Sequence, residues 1–171
     1  GNWLPIVDTS GSMQDYNDSF GKALAIGHYL GKTSTYMPNH VVSFSSRPQL
    51  IELGVTKPHD RSYCYNPFSH ENKESQYIRE IASMYTGDCS NTDFGAVMKL
   101  LQGLDKENVP EYLVVLSDME FDSCATSGNV DRWSYRNRPT QKLFDVIAQK
   151  YARAGYKMPR LVFWNVQARS N

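Results

Sequence analysis

Asp8, Ser10 and Ser12 stand at alternate positions near the start of the chain, in the stretch PIVDTSGSM over residues 5–13. A carboxylate and two hydroxyls so spaced, just where an apolar run ends, suit three chemistries. They could form half of an aspartic-protease site, the nucleophile loop of a phosphatase, or a cradle for a hard metal ion. A second carboxylate, Asp118, ends another apolar run in VVLSDMEFD, and Thr92 opens a helical stretch in CSNTDFG.

Residue types separate the three chemistries. An aspartic protease needs an Asp-Thr/Ser-Gly turn, supplied twice on mainly β domains; here Ser10 holds the glycine position and no second copy follows. A phosphatase of the haloacid-dehalogenase kind carries a second aspartate two residues after its nucleophile, as general acid and base. Ser10 stands there, and a hydroxyl does not do that work at neutral pH. Alternating hydroxyls beside a carboxylate are hard oxygen donors for Mg²⁺, or for Mn²⁺ in its place. Plainer roles compete with the metal reading. Ser10 and Ser12 could satisfy backbone groups in a strand-to-helix turn, Thr92 could cap a helix, and Asp93 could be a first-turn acid.

The elements that must position these residues follow from periodicity. Trp3 to Val7 is short, apolar and β-leaning, and Phe20, Ala23, Leu24, Ile26, Gly27 and Leu30 recur at helical spacing, with Asn17, Asp18 or Ser19 as candidate cap. Ala23, Gly27 and Gly31 leave one face of that helix nearly bare, fit to lie close on a sheet. Val41 to Phe44 and Leu50 to Leu53 predict a hairpin around Ser-Ser-Arg-Pro. A polar loop runs from Gly54 to Ser69, a helix from Glu71 to Tyr85, and another through Phe94, Val97, Met98 and Leu101. Tyr112 to Leu116 is continuously apolar, as in a strand covered on both faces. After a loop from Asp122 to Arg138, a helix through Leu143, Phe144, Ile147, Ala148 and Tyr151 lies between Pro139 and Gly155, and Leu161 to Val166 is the last strand. Strands alternating with helices predict an α/β fold with a mostly parallel sheet, one antiparallel edge strand at Leu50 to Leu53, and helices on both faces. Ligands of such sheets sit beyond the carboxyl ends of the strands, where Asp8 and Asp118 both fall.

With Asp8, Ser10 and Ser12 on a first loop, Thr92 on a second and Asp118 on a third, the chain resembles the von Willebrand factor A family. The resemblance implies a three-layer, Rossmann-like fold and a metal-ion-dependent adhesion site built by these five residues around Mg²⁺ or Mn²⁺. VDTSGSM, NTDFGAVMKLL, VVLSDMEFD and AGYKMPRLVFWNV look like the DUF2828 family, related to the TROVE (Ro-like) ribonucleoproteins. That likeness spans nearly the whole chain and implies one von Willebrand A-like domain over residues 1–171, excised from a longer protein. In the Ro relatives an upstream helical part makes most RNA contacts, so RNA is a partner only through a full-length chain.

The expected function is binding. A cation held mostly by neutral hydroxyls stays electrophilic and accepts an acidic group from a protein partner, favoured further by nearby helix N-termini. No nucleophile or general base accompanies the site, so the expectation is not an enzyme. A Mg²⁺-dependent phosphoryl-transfer hydrolase and an RNA-associated scaffold are the alternatives. Arg132, Trp133, Tyr135, Arg136 and Arg138 interleave cations with aromatics in the loop after Asp118, which suits phosphate contact, base stacking or a protein hot spot. The alternative for that loop is a solvated segment with Trp133 packed back. His59, Cys64 and His70 share a loop but match no common zinc spacing. His28, in an apolar helix, reads as a packed histidine.

Composition closes off other classes. The 171 residues are 40% hydrophobic with 18 basic and 18 acidic side chains, an ordinary globular balance without the bulk charge of a general nucleic-acid binder. No apolar run approaches the length of a membrane span, and no signal-peptide pattern opens the sequence. Cys64, Cys89 and Cys124 are odd in number and far apart, which suits reduced thiols in the cytoplasm.

Overall fold

A computed structural model of the chain describes residues 1–14, 18–57, 75–88, 93–104, 108–119 and 141–167. Strand β1 (Trp3–Asp8) leads through a single 3₁₀ turn (Gly11–Met13) towards helix α1 (Ser19–Thr33). Strands β2 (His40–Phe44) and β3 (Leu50–Glu52) follow, then helices α2 (Gln76–Ser83) and α3 (Phe94–Gln102). Strand β4 (Tyr112–Ser117), helix α4 (Gln141–Arg153) and strand β5 (Arg160–Asn165) complete the order.

The five strands form one sheet in the order β3-β2-β1-β4-β5. β1 lies in the middle and pairs in parallel with both β2 and β4, so that Ile6 stands between Val42 and Val115. β5 is parallel to β4, and β3 alone is antiparallel, paired with β2. The α/β class, the mostly parallel sheet and the antiparallel edge agree with the sequence reading.

Strict alternation divides the core between the two faces. Val7, Val114 and Leu116 pack on one side with Phe20, Ala23 and Leu24 of α1 and Ile81 and Ala82 of α2. Leu4, Ile6, Leu113 and Val115 pack on the other with Phe94, Val97 and Met98 of α3 and Ile147 and Tyr151 of α4. Helices therefore cover both faces, and each fully buried aliphatic side chain contributes about 1.5–3 kcal/mol. The bare face of α1 lies against the sheet as its spacing predicts: a Cβ on Gly27 would stand 2.4 Å from Val7 Cγ2.

Element ends differ from the sequence reading where local bonds decide them. α2 begins at Gln76 because Ser75 Oγ accepts from Ile78 N at 3.1 Å, and it ends at Ser83, where Met84 and Tyr85 tighten into i→i−3 bonds. Asp18 occupies the cap position of α1 in a left-handed conformation, but its side chain makes no capping bond. β5 ends one residue early, at Asn165, although Val166 N still donates to Ser117 O at the end of β4 at 3.0 Å. Gly155 follows α4 at φ +75°, the left-handed position expected of a glycine past a helix end. Among the described residues no helix is long and apolar enough to cross a membrane.

Candidate metal centre

Asp8 is the last residue of β1 and is fully buried. Its Oδ1 accepts from Ser10 N at 2.9 Å, which turns the chain sharply out of the strand. Its Oδ2 accepts from Ser117 Oγ, at the end of β4, at 2.5 Å. The same hydroxyl lies 3.5 Å from Asp118 Oδ1, so one serine stands within reach of both carboxylates. Asp118 is itself only 4% exposed.

Burial pushes the Asp8 carboxyl up from 3.8 to about 6; the neighbouring Asp118 charge adds to this, while hydrogen bonds from Ser117 and Ser10 oppose it. Among the described residues no basic side chain forms an ion pair with Asp8. The ends of β1 and β4 thus gather negative charge in a poorly hydrated place.

The two serines of the first loop are distinct. Ser10 precedes the 3₁₀ turn in an extended conformation and its side chain makes no capping bond. Its hydroxyl instead lies 3.1 Å from Ser12 Oγ. Ser10 is buried and Ser12 exposed, so the pair reaches from the carboxylates to solvent. Below them Met13, fully buried, receives the Asp118 N–H on its sulfur at 3.2 Å, which ties the first loop to the third. Met119, the next residue, has φ +69° and donates its N–H to Ser117 Oγ at 3.0 Å. A non-glycine residue in the left-handed region costs of order 1 kcal/mol and is held there by its surroundings.

Asp8, Ser10, Ser12 and Asp118 are therefore brought to one end of the sheet. Thr92 lies outside the described residues, and so do Arg132, Trp133, Tyr135, Arg136 and Arg138, the three cysteines, His59 and His70. Asp93 is not the first-turn acid expected from the sequence. It is the N-cap of α3, its Oδ1 accepting from Ala96 N at 3.1 Å, so the helix does not need Thr92 for that role. His28 is packed as expected, with Nε2 2.5 Å from Glu80 Oε2 and its ring edge-on to Tyr77.

Sequence reasoning passed over Ser117, Met13 and Thr9. Ser117 directly precedes Asp118, and the register that pairs Val7 with Leu116 carries Ser117 alongside Asp8 one step further. Its role becomes legible only once β1 and β4 are known to be neighbours.

The donor set can be tested against a metal. Among the described residues no three His, Cys, Asp or Glu side chains gather as a possible metal site. A cation here would need the serine hydroxyls as well as the carboxylates. That is a hard, all-oxygen set, suited to Mg²⁺ or Mn²⁺ and unsuited to zinc. A carboxylate raised by burial and by a like charge is also one that a cation would return to its ionised form. The residues fit.

The chain matches the family described as a domain of unknown function, DUF7788, over residues 2–171, and it belongs to that family. No match is found among the curated proteins compared with it.

Proposed function

We propose that the protein is a divalent-cation-dependent binding domain of the von Willebrand A type. Asp8, Ser10, Ser12 and Asp118, with Thr92 as fifth residue, would hold Mg²⁺ or Mn²⁺ and thereby bind an acidic group of a protein partner. The observation that supports this best is Ser117 Oγ reaching Asp8 Oδ2 at 2.5 Å and Asp118 Oδ1 at 3.5 Å, beside the paired Ser10 and Ser12 hydroxyls.

A bound cation would supply an electrophilic centre that accepts one more oxygen ligand. The residues do the rest. Ser10 N and Ser117 Oγ fix the orientation of the Asp8 carboxylate, each of whose oxygens keeps a lone pair. Buried Ser10 and exposed Ser12 set the direction from which a partner approaches. Asp118 is held by its backbone bond to Met13.

Binding is favoured over hydrolysis because Ser10 stands where a phosphatase of this kind needs its general acid. The RNA-associated reading rests on Arg132, Arg136 and Arg138, outside the described residues, and gains no support here. A cytoplasmic setting, consistent with three widely spaced cysteines, belongs to the same proposal.

The test is titration of Mn²⁺ into metal-free wild type and Asp8→Ala, followed by electron paramagnetic resonance of the free ion. Saturable binding by wild type, lost in Asp8→Ala, supports the proposal. Equal behaviour of the two overturns it.

A further inference from the structure

We infer that Ser45 and Asp88 are positioning residues for the metal loop, an inference that rests on the metal reading above. Ser45 follows β2 directly and is fully buried. Its hydroxyl donates to Asp88 Oδ2 at 2.8 Å and accepts from Arg47 N at 3.2 Å. A single proton is available on that hydroxyl, and it is committed to the carboxylate in a charge-assisted bond. The Ser45 carbonyl accepts from Asp93 N at 3.4 Å. One serine therefore holds Asp88 on one side and Asp93 on the other, the residues that flank 89–92.

The arrangement continues into the first loop. The Asp88 carbonyl accepts from Thr9 Oγ1 at 3.2 Å, while Thr9 N donates to Phe44 O at 3.2 Å. Thr9 is 5% exposed and sits between Asp8 and Ser10. Its backbone N and its hydroxyl are both held, which ties the backbone between Asp8 and Ser10, whose oxygens belong to the candidate donor set, to β2 and to Asp88. The central residue of Asp-Thr-Ser is thus a link rather than a spacer. The position of Asp88, fixed by Ser45, is passed to the backbone between Asp8 and Ser10 through Thr9. Residues that orient ligands in this indirect way typically alter metal affinity by about 10–100-fold.

Ser43 supplies a control. It lies two residues earlier on β2, is equally buried, and its hydroxyl accepts from Gln49 N at 2.8 Å, away from the metal loop. Loss of that bond affects folding and leaves the metal loop alone.

The experiment measures Mn²⁺ affinity and metal-free Tm for wild type, Asp8→Ala, Ser45→Ala, Ser45→Thr, Asp88→Ala, Thr9→Val and Ser43→Ala. The expected result is a Kd raised about tenfold or more in Ser45→Ala, Asp88→Ala and Thr9→Val. Ser45→Thr, which keeps the hydroxyl, and Ser43→Ala stay within about twofold of wild type whatever their Tm. Should Ser45→Ala or Asp88→Ala fail to fold, the near-isosteric Thr9→Val decides. Wild-type affinity in Ser45→Ala, Asp88→Ala and Thr9→Val, with binding lost in Asp8→Ala, overturns this inference and leaves the metal reading standing. If wild type binds no better than Asp8→Ala, both fall.

Discussion

The Ser117 hydroxyl donates to Asp8 Oδ2 at 2.5 Å across two neighbouring parallel strands, from a position 109 residues away in the chain. The bond closes the junction between β1 and β4 and gives a fully buried carboxylate one of its donors, beside Ser10. Ser117→Ala leaves that oxygen without its hydroxyl and also removes the acceptor of Met119 N. Losing a hydrogen bond to a buried charged group costs about 1.5–3 kcal/mol. Urea unfolding at pH 7 in the presence of a chelator should show a loss of that size. An unchanged midpoint would mean that the carboxylate finds another donor.

Asp8 gives the metal-free protein an acid-side advantage. Its folded pKa is about 6 against 3.8 when unexposed to the fold, so the folded state holds its proton more tightly than the unfolded state. Stability from this group is highest below pH 3.8, falls as pH rises to about 6, and is level above that. The span corresponds to about 3 kcal/mol at 1.36 kcal/mol per unit. Asp8→Asn should remove this slope from the chelated protein, as read by unfolding free energies across that window. Mg²⁺ added above pH 6 should stabilise wild type and leave Asp8→Asn unchanged.

Glu80 behaves in the opposite sense. Burial alone would raise its carboxyl, but hydrogen bonds from His28, Gln76 and Lys32 outweigh burial and hold it at about 2. The folded state therefore favours the ionised form, and this contribution is complete above pH 4.5 and lost as pH falls towards 2. Glu80 on α2 joins His28 and Lys32 on α1, so its loss loosens one helix from the other. Glu80→Gln should lower stability by about 1–3 kcal/mol at pH 7. The difference from wild type should narrow below pH 4. A constant difference between pH 7 and pH 3 would contradict the ion-pair account.

Gly27 is a packing position. A methyl group there meets Val7 Cγ2 at 2.4 Å, and Val7 is wedged in the core with little room to turn. Overpacking of this kind costs about 1–3 kcal/mol, more than the helix propensity gained from alanine. Gly27→Ala should lower the urea midpoint, and Gly27→Ala with Val7→Ala should recover part of the packing strain. Additive losses in the double variant would show that the two sites do not press on each other.

Much of the architecture was legible in the sequence because it depends on period. Continuous apolarity in Tyr112 to Leu116 marks a doubly covered strand, and the Ala23–Gly27–Gly31 spacing marks the face of α1 that meets the sheet. The first-loop residues stood out by type and spacing, but the bond from the Ser10 backbone N–H to Asp8 Oδ1 was not legible in them. What the sequence hid are bonds made by residues of ordinary type to distant neighbours. Ser117 to Asp8, Ser45 to Asp88 and His28 to Glu80 are each set by strand order or helix packing, which local pattern does not encode. Asp93 was legible as an acid at a helix start, while its role as cap depended on its extended backbone.

The middle place of β1 in the sheet has a consequence for dynamics. Fraying begins at sheet edges, here β3 and β5, and breaking either edge leaves β1 bonded on both sides. Amides of Ile6 and Val7 should then exchange with solvent only through global unfolding. A group bound at the end of that strand would be anchored to the part of the sheet that opens after its edges. Its residence is set by the lifetime of the whole fold or by its own dissociation, and not by partial openings at the margins.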